Sequence, residues 1–159
     1  MSAPPRFISD VMLGSLAKWL RILGFDVIYF NSIDDNEIIR IAKQQERIIL
    51  TRDGSLVQSK KVSRYIYVSA METFDQVKEV ISKLKDMGYV EDMRNKEPRC
   101  AVCNGEIEQV DKQSISYEVP EHVLLGFHNF FRCRDCGRVY WEGTHKKAID
   151  QMLEKLLSI

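Results

Sequence analysis

Arg47-Ile48-Ile49-Leu50-Thr51-Arg52-Asp53 is an aliphatic run that ends on a carboxylate. Its β-branched content and shortness fit a strand buried on both faces, as in a covered parallel sheet. Two earlier stretches have the same shape: Arg6-Phe7-Ile8-Ser9-Asp10, and Asp26-Val27-Ile28-Tyr29-Phe30 running on to Asp34-Asp35. Each is followed by a helical pattern. After Asp10, apolar residues recur at Leu13, Leu16, Ala17, Leu20 and Leu23, with Gly24 as the stop. After Asp35, Ile38, Ile39, Ile41 and Ala42 form the inward face. Gly54 to Lys60 reads as a short helix or turn before a fourth strand, Tyr65 to Val68. Ser69-Ala70-Met71-Glu72 has capping-box spacing and opens a helix burying Phe74, Val77, Val80, Ile81 and Leu84, which stops near Gly88. Strands alternating with helices imply an α/β fold: a parallel sheet flanked by helices, three layers deep, with right-handed crossovers.

That fold gives the carboxylates a shared address. Ligands of such sheets bind outside the carboxyl ends of the strands. Asp10, Asp34 or Asp35, and Asp53 all fall there. Close carboxylates repel by roughly 1–4 kcal/mol per pair near a surface, so gathering them invites a cation. Mg²⁺ and Mn²⁺ accept carboxylate and water ligands, and they activate water for phosphodiester hydrolysis. Asp34 and Asp35 precede a helix, so one serves as an N-cap and the other as a ligand. Arg52 beside Asp53 can meet a scissile phosphate. Lys18 and Arg21 lie three apart on the polar side of the first helix and can do the same.

Composition changes after Gly88. Glu91 to Pro98 is a charged linker, which divides the chain into residues 1–90 and a small module over residues 98–159. The module contains all four cysteines, as Cys100-Ala101-Val102-Cys103 and Cys133-Arg134-Asp135-Cys136. Paired thiolates two residues apart reach one ion from a tight turn, and two such pairs make a tetrahedral structural zinc site. Asn104-Gly105 and Gly137 allow the backbone to fold under the sulfurs. A redox dithiol would need a thioredoxin-like context, which is absent. His122, His128 and His145 are not needed as ligands. Strands are expected around Gly105 to Val110, Phe130 to Arg132 and Arg138 to Trp141, with a final helix capped by Thr144 and apolar at Ile149, Met152, Leu153, Leu156 and Leu157. Arg132, Arg134, Arg138, Lys146 and Lys147 interleave with Phe130, Phe131, Tyr140 and Trp141, a combination that suits single-stranded nucleic acid.

Composition sets outer bounds. The 159-residue chain has 45% hydrophobic and 29% charged residues, which are globular values, and zero net charge. No apolar run approaches the roughly 18 residues of a membrane helix. Residues 1–5 lack a signal-peptide core, so a cytoplasmic location without membrane association is expected. The oligomeric state and any protein partner are open.

The stretch from Asp10 to Asp26, with Asp34-Asp35-Asn36-Glu37, Leu50-Thr51-Arg52-Asp53, Arg99 to Gly105, Cys133 to Trp141 and Gly143-Thr144-His145, resembles the Mut-seven C-terminal (Mut7-C) RNase domain family in the same order along nearly the whole chain. The resemblance implies a PIN-like α/β domain with a C-terminal zinc ribbon and a metal-dependent ribonuclease acting on RNA. It implies that Asp10, Asp34 or Asp35, and Asp53 hold Mg or Mn at the catalytic centre. The four cysteines become the zinc ligands. Arg52 goes with Asp53 in the family's motif; with Lys18, Arg21, Arg134, Arg138, Trp141 and His145 it makes up the expected substrate-contacting set. Gly54-Ser55 stands where many relatives carry a charged residue, and Glu72 and Asp75 are the candidates for a fourth acid. The competing readings are an RNA- or protein-binding module with an inactive acidic pocket, and a phosphorylated receiver-like domain.

Overall fold

The aliphatic runs form strands and the periodic segments form helices, in the order the sequence implies. The computed structural model describes residues 3–89, 96–142 and 144–157. Glu91 to Asn95 of the charged linker lie outside the described residues, as do the side chains of Thr144, His145 and Leu157. Strand β1 (Arg6–Ser9) leads through a 3-10 turn (Val11–Leu13) into α1 (Gly14–Ile22). Then come β2 (Asp26–Tyr29), α2 (Asp35–Gln44), β3 (Ile48–Thr51), the single-turn α3 (Gly54–Val57), β4 (Tyr65–Tyr67) and α4 (Thr73–Asp86). The four strands are parallel, in the order β2-β1-β3-β4.

Alternation along each strand divides the core into two layers. Phe7, Val27, Ile48, Leu50 and Ile66 face one way, against Leu16, Ala17 and Leu20 of α1 and Val77, Val80, Ile81 and Leu84 of α4. Ile8 and Ile49 face the other way, against Ile38, Ile39, Ile41 and Ala42 of α2 and Leu56 of α3. Helices on both faces explain why these strands have no polar side. α1 closes at Gly24 (φ 99°) with Gly24 N–H on the Arg21 carbonyl and Phe25 N–H on the Leu20 carbonyl, the paired bonds of a Schellman stop.

Two local readings change. The capping box at Ser69 does not form. α4 begins at Thr73 with Glu72 as its N-cap residue and no side-chain cap bond. Ser69 instead gives both its N–H and its hydroxyl to Glu79, two turns into the helix. Arg21 is not on a polar face: it is 6% exposed and its guanidinium is spent on backbone carbonyls.

The cysteine-bearing segment forms a three-stranded antiparallel sheet of β5 (Ile107–Val110), β6 (Phe130–Cys133) and β7 (Val139–Trp141), in that order. Between β5 and β6 lie a 3-10 turn (Lys112–Ile115) and the short helix α5 (Glu121–Gly126), which the sequence pattern does not announce. Ile115, Val119, Val123 and Phe130 make a small core of their own. The last helix, α6 (Thr144–Leu157), returns to the parallel sheet, where Met152 and Leu156 join the α1–α4 layer. No helix among the described residues is long and apolar enough to cross a membrane.

Candidate metal centres and the acidic edge

The sheet order reverses at β1: α1 carries the chain outward to β2, and α2 returns it across β1 to β3. The crevice at such a switch point is where open α/β sheets bind ligands. Asp10 follows β1 and Asp53 follows β3, so both stand at its mouth.

Asp10 is 5% exposed and fastens the crevice. Its Oδ1 accepts from Met12 N–H at 2.9 Å, opening the 3-10 turn. Its Oδ2 accepts from the Thr51 hydroxyl at 2.6 Å and from Arg52 N–H at 2.9 Å. Thr51 was not singled out from sequence. Its hydroxyl, fully buried, also accepts from Asp53 N–H at 2.9 Å, so one oxygen holds the carboxylate of Asp10 and the backbone of Asp53. The available signal was a lone hydroxyl residue ending an all-aliphatic strand. Asp53 caps α3: its Oδ1 accepts from Ser55 N–H at 2.9 Å and from the Ser55 hydroxyl at 2.6 Å, and these bonds hold its carboxyl below the usual range.

Capping geometry tells Asp34 and Asp35 apart. Asp34 is the N-cap of α2, with Oδ1 on Glu37 N–H at 2.8 Å. Asp35 makes no such bond. Its carboxyl is pushed above the ordinary range by partial burial, then by the charges of Asp53, Asp10 and Asp34. These carboxylates form an open set: among the described residues, the four cysteines are the one group of three or more whose ligand atoms all lie within 4.8 Å of one another. Mg²⁺ commonly takes one or two protein carboxylates and keeps its waters, so an open, like-charged set fits such an ion.

The expected substrate-contacting residues scatter. Arg52 turns along the edge, donating to the Ala70 carbonyl and reaching Met71 Sδ at 3.0 Å. Lys18 is exposed on α1. Arg21 is withdrawn from the surface. Arg134 pairs with Glu108 at 3.1 Å and Glu106 at 3.5 Å, and Arg132 pairs with Glu118. Trp141 packs on the ribbon core beside Phe130, and the Tyr140 hydroxyl lies 2.9 Å from Cys100 Sγ. Arg138 is exposed. The ribbon's aromatics therefore serve mainly its own packing and its sulfurs. Glu72 and Asp75, both exposed, lie at the start of α4.

The four cysteines converge. Cys100 and Cys133 are buried; Cys103 and Cys136 are exposed. Cys100 and Cys136 Sγ lie 3.8 Å apart, and Cys103 and Cys133 Sγ 3.4 Å apart. Bonds of ~2.3 Å at tetrahedral angles place sulfurs about 3.8 Å apart, so the cluster fits zinc. Each pair closes a turn through a residue at positive φ, Asn104 (72°) and Gly137 (79°), with Asn104 N–H on the Cys100 carbonyl and Gly137 N–H on the Cys133 carbonyl. Gly105 is required for closeness: a Cβ there would sit 2.7 Å from Cys133 Sγ. Burial, then the neighbouring sulfurs, push the Cys103 thiol up to about 12, a crowding that a divalent ion relieves.

No curated protein and no solved structure matches this chain. A family model does match, over residues 5–153, which include both the acidic edge and the cysteine cluster. The chain belongs to the Mut7-C RNAse domain family.

Proposed function

We propose that the protein is a metal-dependent ribonuclease whose centre is the switch-point crevice, with Asp10, Asp35 and Asp53 holding Mg²⁺ or Mn²⁺. The observation that supports this reading best is the placement of Asp10 and Asp53 at the ends of neighbouring strands, tied through Thr51, with Asp35 electrostatically coupled to both. When bound, the ion supplies an activated water and stabilises the leaving oxygen. The chain's own residues prepare the place. Thr51 fixes the carboxylate of Asp10 and the backbone of Asp53, Ser55 fixes the Asp53 carboxylate, and Asp34 caps α2 so that Asp35 stays available. Arg52 lies along the same edge, where its guanidinium can exchange the Ala70 carbonyl for a phosphate oxygen. The cysteine cluster holds zinc as a structural ion, since four sulfurs leave no open position.

Labelled RNAs incubated with Mg²⁺, Mn²⁺ or neither, wild type beside Asp53→Asn, test the reading. Cleavage that needs the added ion and falls to background in the variant, with zinc content and circular dichroism unchanged, is expected. Full activity in Asp53→Asn refutes it.

A further inference from the structure

β2 is an edge strand of the parallel sheet. A bare edge presents unpaired N–H and C=O groups that must be covered or will pair elsewhere. At Val27 both outward backbone groups are taken, and by residues that lead to the cysteine cluster. Val27 N–H donates to Asn104 Oδ1 at 3.0 Å, and Arg21 Nε donates to the Val27 carbonyl at 2.9 Å. Asn104 directly follows Cys103; its Nδ2 donates to Asp26 Oδ1 at 2.8 Å, and that oxygen also receives Arg47 Nη1 at 2.8 Å. Arg21 Nη1 reaches the carbonyls of Ala101 (3.0 Å) and Val102 (3.2 Å), both inside the first CxxC turn. Arg99 N–H donates to the Arg21 carbonyl at 2.8 Å.

The turn from Arg99 to Asn104 therefore stands where a fifth strand would. We infer that the first cysteine turn serves as the missing neighbour of β2, so that zinc binding and stability of the acid-bearing sheet are one linked equilibrium, with Asn104 and Arg21 as the coupling residues. The turn keeps its shape because its two sulfurs share an ion with the second pair. An ion that binds only the closed turn stabilises whatever the closed turn holds, and the linkage is reciprocal: loosening β2 weakens zinc binding by the same factor. The loop after β2 leads to Asp34 and Asp35, so the coupling acts on the strand next to the crevice without a residue of the ribbon entering it.

Amide hydrogen exchange of the full, zinc-loaded chain tests this independently of any cleavage. Asn104→Gly keeps the positive φ that the turn needs and removes only the side-chain bridge. Cobalt substitution, read by its thiolate absorption, verifies that four sulfurs still bind. With zinc bound, the Val27 amide of Asn104→Gly should lose about tenfold in protection, the worth of one buried hydrogen bond. Wild type stripped of zinc should show a similar or larger loss at Val27, accompanied by loss across β2. Arg21→Lys, which keeps the charge but loses the fork, is the second arm; its zinc affinity, by competition with a chromophoric chelator, should fall about tenfold or more. Unchanged Val27 protection after zinc removal overturns the inference, as does wild-type behaviour of both variants.

Discussion

Glu79→Gln should destabilise the protein in a way that depends on pH. Glu79 projects from α4 back onto the loop after β4. Its Oε1 accepts from the Ser69 hydroxyl at 2.8 Å and Ser69 N–H at 3.0 Å, its Oε2 accepts from Ala70 N–H at 3.0 Å, and Lys83 lies 3.1 Å away. Burial alone would raise its pKa, but the bonds from Ser69, Ala70 and Lys83 prevail and lower it from 4.5 to about 2. A tenfold change in proton affinity is worth about 1.4 kcal/mol, so the ceiling is about 3 kcal/mol. The carboxylate is only 16% exposed, and about 2 kcal/mol survives screening. A glutamine keeps one acceptor and turns its amide N–H₂ toward backbone donors. The folded state binds fewer protons than the unfolded one wherever Glu79 is ionised only when folded. Its contribution is therefore complete above pH ~4.5 and fades as pH falls toward 2. Urea denaturation of both proteins at pH 7 and at pH 2.5 measures this. The wild type should be about 2 kcal/mol more stable at pH 7, with the gap narrowing below 1 kcal/mol at pH 2.5. Taking the difference between the two proteins cancels any shared effect of acid on the cysteine cluster. A gap that stays constant with pH would refute the carboxylate account.

Thr51→Val removes a buried donor to Asp10 and a buried acceptor for Asp53 N–H, so stability by denaturant titration should drop by about 2 kcal/mol. RNA cleavage should fall further than the stability loss explains, because the Asp10 carboxylate loses a fixed partner and the backbone carrying Asp53 loses its tether. Asp34→Ser preserves an N-cap oxygen and should leave stability within about 0.5 kcal/mol of wild type and cleavage intact. Asp35→Asn should fold normally and cleave poorly, and the opposite ranking in a cleavage assay would reverse the roles given to the two residues.

How far the sequence discloses this structure varies with the range of the interaction. Buried strands such as Ile48-Ile49-Leu50 are legible because covering both faces leaves no polar position. The α1 stripe is legible because its spacing repeats. The cysteine cluster is legible because a tetrahedral ion site demands the CxxC spacing that the chain displays twice. Arg21 reads as solvent-facing because charge in a helix pattern signals solvent, whereas this guanidinium is buried by a turn eighty residues later. The spacing from Ser69 to Glu72 fits a local capping box, while the stronger acceptor, Glu79, lies ten residues away. α5 escaped notice because six residues ending in Gly126 carry too little periodicity to register. Asp34 and Asp35 are equivalent on paper, and only the φ/ψ of the helix start separates them.

The parallel strands are short, three or four residues each, and this makes chain length near the crevice a specification. Side chains alternate, so inserting one residue within β1 would turn Phe7 and Ile8 to the wrong layers and carry Asp10 away from the Thr51 hydroxyl. β3 has the same sensitivity between Ile48 and Thr51. At the opposite rim, the turns around Gly24 and Glu46 touch no member of the acidic set. Insertions and deletions at one rim of the sheet should therefore displace the acids directly, whereas those at the other should leave the acids in place and cost stability instead, a polarity that tandem libraries of single-residue insertions can map directly.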